Sequence, residues 1–245
     1  MFSDYLIDFL PRARTIVFFT GAGISAESGI ATFRDKDGLW SKFSPTELAS
    51  VDGFMSNPQR VWEWYQHRRQ VLDKASPNPG HFAISKMQEL FPNVDLITQN
   101  VDRLHQQAGS KDVIELHGNI ITNRCFECST PYTAEIDINS NNLPICQKCG
   151  GKIRPDVVWF GEMLPADAIT KAQEVSEMCE IFFTIGTSAE VYPAANLPLL
   201  AKQGGAYVVE INPHKTQISD KVDECIRELS GVALPELLNQ IGVKL

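Results

Sequence analysis

The segment TIVFFTGAGISAESG, residues 15–29, puts a strand-length run of apolar and β-branched side chains directly in front of two glycines one residue apart. A strand with almost no polar face must be covered on both sides, as in a parallel sheet sandwiched between helices. Runs of the same kind recur at 94–98, 113–116, 181–185 and 206–211. Helical patterns lie between several of them, at 81–91, 167–178 and 194–204. This alternation predicts an α/β fold with a doubly wound, Rossmann-like parallel sheet. With 245 residues, 43% hydrophobic and 21% charged, the chain can bury a core in one large domain or two unequal ones.

Two segments break the alternation. Residues 33–80 hold aromatics and a helix-like RVWEWYQHRRQVL, and residues 119–156 carry four of the six cysteines. Both read as insertions that form a smaller module, leaving 1–32, 81–118 and 157–245 to the larger domain. Cys125-x2-Cys128, seventeen residues, then Cys146-x2-Cys149 is the spacing of a tetrahedral four-cysteine zinc ribbon. Four thiolates fill the coordination shell of zinc, so one structural ion is expected, with no part in chemistry. Cys179 and Cys225 have no such partner and read as isolated thiols.

The formal charge of -8 argues against broad electrostatic binding to nucleic acid or to an anionic membrane. No run reaches the roughly eighteen apolar residues of a spanning helix. The opening MFSDYLIDFLPRAR carries Asp4 and Asp8 within its apolar part and does not read as a signal peptide. Cytoplasmic location is expected, and paired C-x-x-C cysteines agree with a reducing compartment.

Gly21, Gly23 and Ala26 match G-x-G-x-x-A behind a strand, where backbone amides and a helix start can hold a pyrophosphate. Alone, the pattern also fits a tight strand-to-helix turn with no ligand. About twenty residues on, where the dinucleotide fingerprint places a ribose-binding acid, the chain reads LWSKFSPTE, so a nucleotide here must be held differently. As a whole, GAGISAESGIATFRDKDGLW resembles the NAD-binding signature of the sirtuins, the NAD-dependent protein lysine deacylases. TQNVDRLHQQAG (98–109), ELHGNI (115–120), VVWFGEMLP (157–165), IGTSAEVYPAA (185–195) and VVEIN (208–212) are similar to the family's later motifs, in its order. The resemblance spans nearly the whole chain.

It implies a role for each matching position. Gly21, Ala22, Gly23, Ser25, Ala26 and Glu27 would bind NAD, with Phe33 and Arg34 on the following loop toward the pyrophosphate. QNVD, which by itself also reads as a polar helix cap, would supply Asn100 and Asp102 to the nicotinamide ribose and carboxamide pocket and Gln99 to the ribose. Gly186, Thr187, Ser188 and Asn212 would hold the adenosine half, helped by Ser230 of the last loop. A lone histidine such as His117, at the end of VIEL, is more often structural than catalytic. The resemblance makes it the general base, a task suited to an imidazole with a pKa near 6.5.

The reaction implied consumes NAD. The acyl oxygen of a modified lysine displaces nicotinamide from the ribose to leave an alkylimidate, His117 activates the ribose hydroxyls so that the 2′ oxygen attacks the imidate carbon, and water completes the release of free lysine and O-acyl-ADP-ribose. Acyl-lysine proteins are the implied partners, with Val158, Phe160, Gly161 and Glu162 of VVWFGEMLP taking the substrate backbone as an added strand.

Tyr65 and Arg68 are three residues apart on one helical face, a pair that usually means nothing. In sirtuins that remove malonyl, succinyl or glutaryl groups, a Tyr-x-x-Arg pair in this segment binds the distal carboxylate, beside a small residue matched here by Ala49. The resemblance therefore implies acidic acyl-lysines, with some deacetylation. A plain deacetylase and an ADP-ribosyltransferase are the alternatives on the same site. A zinc-ribbon module that only senses NAD is a third, and the presence of His117, Asn100 and Asp102 together speaks against it.

Overall fold

The computed structural model describes residues 1–32 and 44–244. Nine strands are present among them: β1 (Ile16–Thr20), β2 (Val94–Thr98), β3 (Ile114–Glu115), β4 (Gly118–Cys125), β5 (Pro131–Tyr132), β6 (Ile153–Val157), β7 (Ile181–Ile185), β8 (Tyr207–Ile211) and β9 (Glu224–Ile226). Six of them form one sheet in the order β3-β2-β1-β7-β8-β9, with every neighbouring pair parallel. The expected doubly wound order is therefore realised, with the topological switch between β1 and β7.

The continuous apolar runs have the predicted cause. β1 and β7 are buried at all five positions. Alternate side chains enter separate cores: Phe18 stacks on Phe183 at 4.9 Å on one face, and Phe19 meets Phe182 at 6.0 Å on the other. The first face is covered by the helices Asp4–Phe9, Pro79–Leu90 and Ser230–Gln240, the second by Ala166–Met178 and Leu197–Gln203. Among the described residues no helix is long and apolar enough to cross a membrane.

Differences from expectation fall at the edges. The predicted strand 113–116 is only Ile114–Glu115, an edge strand paired with Ile97 and Thr98 alone. β9 escapes the apolar pattern because it is a three-residue edge strand flanked by charge. The helix expected at 194–204 starts at Leu197 after a 3-10 turn, since Pro198 has no amide hydrogen and suits only a first turn.

The smaller module combines the helices Pro45–Leu48, Val51–Ser56 and Pro58–Asp73 with the antiparallel sheet β5-β4-β6. Arg69, buried, ties the long helix to β4. It donates to the Ile120 carbonyl at 2.8 Å, to Gln66 and Asn123 side chains at 2.6 Å each, and lies over the Trp62 ring.

Candidate active site

In the parallel register Thr20 is level with Thr98 and Ile185, so the loops after β1, β2 and β7 leave the sheet at one height. The turns after β1 and β7 interlock there. Gly21 and Gly23 donate to the Ile185 and Gly186 carbonyls at 2.9 and 2.8 Å. A Cβ on Gly23 would lie 2.6 Å from Gly186 Cα, and one on Gly186, whose φ is +59, would lie 2.5 Å from Ile24 N. Only glycine fits at either position.

Above these turns opens a cavity of about 950 Å³. Gly21, Ala22, Gly23 and Ala26 line it from the first turn, Gln99, Asn100 and His117 from the ends of β2 and β3, and Gly186, Thr187, Ser188 and Asn212 from β7 and β8. Across the opening stand Ala49, Tyr65 and Arg68 from the small module and Val158, Phe160, Gly161 and Glu162 from the segment after β6. Phe33 and Arg34 lie outside the described residues. Ser25 and Asp102 sit behind the wall. Ser25 Oγ donates to Asp102 at 2.7 Å, Leu104 N donates to its other oxygen at 2.9 Å, and Asn100 Nδ2 donates to Gly21 O and Ser25 Oγ. The Asn100 amide is thereby fixed in orientation. Glu27 and Ser230 do not line the cavity: Ser230 Oγ and Gly231 N donate to Glu27 Oε1 at 3.1 and 2.9 Å, and Leu229 is the residue of that loop on the wall.

His117 Nδ1 lies 2.9 Å from the Gln99 carbonyl oxygen. A carbonyl can only accept, so Nδ1 carries the hydrogen and the Nε2 lone pair is left for the cavity. Burial pulls the His117 pKa below its ordinary value, opposed by that hydrogen bond. The Gln99 side chain donates to Thr187 Oγ1 at 2.9 Å and Asn212 Nδ2 to the Thr187 carbonyl at 3.1 Å, which braces the three loops against one another.

At the opposite wall the Arg68 guanidinium lies 4.9 Å from the Trp64 ring centroid and 5.7 Å from that of Tyr65. Burial lowers the Arg68 pKa, opposed by Tyr65 and Asp102, and burial raises that of Tyr65, opposed chiefly by Arg68. The segment after β6 is anchored internally: Val158 N donates to the His117 carbonyl and Phe160 N to the Ala49 carbonyl, both at 2.9 Å. The Glu162 carboxylate is held by Arg154 at 2.5 and 2.9 Å and by the Trp159 amide at 2.8 Å. Trp159, Leu164, Val191, Tyr192, His214 and Lys215 also line the cavity and were not among the candidates. Trp159 stands inside the motif VVWFGEMLP, but a strand's alternation does not reveal which ring turns inward after the strand has ended.

The four cysteine sulfurs lie within 4.8 Å of one another, Cys125 to Cys149 at 3.5 Å and Cys128 to Cys146 at 3.8 Å. Tetrahedral zinc with bonds of about 2.3 Å needs sulfurs about 3.8 Å apart, so the set fits that ion. None of the four lines the cavity. Cys179 is buried beneath the second face of the sheet and Cys225 is exposed.

A parallel 3-2-1-4-5-6 sheet with a braced polar cleft over its switch point defines an α/β protein of the dinucleotide-binding class. The sequence profile of the Sir2 family matches residues 21–193, and the chain belongs to that family. It is 53% identical over 232 residues to an NAD-dependent protein deacylase of Aquifex aeolicus, covering 94% of this chain and 96% of that one. To NAD-dependent protein deacylase 1 of Caldanaerobacter subterraneus it is 52% identical over 213 residues, covering 86% and 88%. A solved Sir2 homologue in complex with NAD superposes with a TM-score of 0.91 at 42% identity, over 98% of this chain and 94% of that one. A Sir2 complex with a p53 peptide and NAD+ superposes with 0.87 at 35% identity, over 99% of each.

Proposed function

We propose that this chain is an NAD-dependent protein lysine deacylase that prefers acyl groups ending in a carboxylate, such as succinyl, malonyl and glutaryl, and retains some deacetylation. Relatives named as deacylases and solved relatives holding NAD and peptide support the reaction class. The cavity, near the upper end of ligand sites of about 300–1,000 Å³, has room for a dinucleotide and a lysine arm. When bound, NAD would supply an ADP-ribosyl electrophile for attack by the acyl oxygen, with nicotinamide as leaving group. His117 Nε2 takes the ribose hydroxyl proton, since Nδ1 is committed to Gln99. Asn100, fixed by Gly21 and Ser25, orients the nicotinamide end, and the Asp102 carboxylate holds Ser25 in turn. We assign 1–32, 81–118 and 157–245 to the dinucleotide domain and 33–80 with 119–156 to the module that supplies the acyl pocket.

The acyl preference rests on one observation: Ala49, Tyr65 and Arg68 share the cavity with His117. In a desolvated pocket a guanidinium grips a carboxylate with two hydrogen bonds, and an acetyl group offers it nothing. Arg68→Met keeps much of the side-chain length and removes the fork. On succinyl and malonyl peptides kcat/KM should fall roughly 10- to 150-fold, the loss of one charge-assisted hydrogen bond of about 1.5–3 kcal/mol. An equal fall on acetyl peptides would return the protein to the plain deacetylase reading.

A further inference from the structure

We propose that Trp159 is a positioning residue for acidic acyl groups, its indole N–H holding the Tyr65 hydroxyl so that the phenol proton faces the acyl end of the cavity. The inference rests on the reading of that pocket as a carboxylate site and names what prepares it. Trp159 is 2% exposed and its ring packs against two neighbours. The Arg154 guanidinium lies 3.3 Å from its centroid, and Phe54 packs at 5.2 Å. Arg154 is itself only 2% exposed and is locked by the Glu162 carboxylate and by the Val157 carbonyl at 2.7 Å. Glu162 also accepts from the Trp159 amide, so ring and backbone are held together.

Thus fixed, Trp159 Nε1 stands 2.9 Å from Tyr65 Oη. An indole nitrogen can only donate, so the phenol oxygen is the acceptor. Conjugation keeps a phenol hydrogen in the plane of its ring, which leaves two positions. An indole hydrogen donated along one of these directions leaves the phenol hydrogen the other. Among the described residues the Tyr65 hydroxyl has no second hydrogen-bond partner, and Tyr65 lines the cavity beside Arg68. The wall therefore presents a donor, matched to a carboxylate oxygen and unused by a methyl group. Without the indole hydrogen the hydroxyl can rotate and present its lone pair, which repels a carboxylate.

Trp159→Phe removes the N–H and keeps a ring against Arg154 and Phe54. Steady-state kinetics on succinyl and acetyl peptides, for the wild type, Trp159→Phe, Tyr65→Phe and the double variant, test the idea. The succinyl-to-acetyl ratio of kcat/KM should fall at least roughly 10-fold in each single variant, the lower end for one hydrogen bond to a charged group, and the change should lie in KM. The double variant should fall no further, because both changes remove one arrangement. A wild-type ratio in folded Trp159→Phe protein, or additive losses in the double variant, overturns the proposal. Should Trp159→Phe fail to fold, 3-benzothienylalanine at position 159 replaces only the N–H, with the same expected and overturning results. An unchanged ratio in Arg68→Met would sink the carboxylate reading itself. A changed ratio there with none in Trp159→Phe would sink only the role of Trp159.

Discussion

One backbone carbonyl sets His117 apart from the other histidines. The chain has five histidines, and two others, His81 and His105, are more deeply buried. What separates His117 is that Gln99 O fixes its tautomer while the other ring nitrogen meets the cavity. By contrast, His105 Nε2 is engaged with Thr20 Oγ1 inside the core. Local sequence could not make that distinction, because Gln99 and His117 meet only once β2 and β3 are paired. His117→Ala should keep the fold and NAD binding while turnover falls about 10²- to 10⁴-fold, measured as nicotinamide release from an acyl peptide. Because burial disfavours the imidazolium, the neutral base persists to lower pH than a free histidine. The acid limb of kcat/KM should accordingly have its midpoint below the ordinary 6.5, and a limb at or above that value would point to a different base.

At the scale of elements, the cysteine knuckles and the cavity wall share a strand. β6 leaves the second knuckle at Ile153 and ends at Val157, two residues before Trp159, and β4 pairs with it along its length from Cys125 back to Gly118. Metal at the knuckles thus fixes the start of a strand whose far end carries the cavity wall. Cys146→Ser, or a strong chelator, should remove the metal and unfold the small module together, since structural zinc contributes roughly 10 kcal/mol or more in such modules. Metal content by elemental analysis, read beside near-ultraviolet circular dichroism, checks this. Metal-free protein with native spectra would contradict it. The spacing of the cysteines was enough to find this element, because ligand geometry restricts which short turns can carry two thiolates. The short β5 and the shift between Asn119 and Asn123 in β4 had no such signature.

For the molecule as a whole, buried neutral histidines make stability depend on pH. Burial lowers the His81 pKa to about 4, and the His105 pKa lies well below its ordinary value from burial, with His81 adding to the effect. Their rings pack at 4.8 Å, and both are almost fully enclosed. An unfolded chain would protonate them near 6.5. The stability they contribute is therefore fully present above pH 6.5 and is lost as pH falls toward 4, at about 1.4 kcal/mol per pH unit for each group. Urea unfolding across pH 7.5 to 5 should show an uptake of about two protons on unfolding near pH 5.5. A flat profile through that window would mean that the rings are charged in the folded protein.

The sheet, its parallel direction and the four-cysteine site were legible in the chain alone, because both-face burial demands uninterrupted apolar runs and a tetrahedral ion demands paired thiols. The glycines after β1 were legible as a turn, but their reason lay elsewhere in the sequence: Gly23 is glycine because Gly186 occupies the space of its Cβ. Which polar residues share the cavity was likewise decided in three dimensions. Asn100 and His117 reach its wall, Ser25 and Asp102 stand behind it, and Glu27 bonds the last helix instead. Tyr65 and Trp159, 94 positions apart, become one hydrogen-bonded pair only when the long helix of the insertion packs against the segment after β6. Periodicity records what each segment must bury. It carries no record of which distant segment covers it, and side-chain direction, tautomer and proton position all follow from that cover.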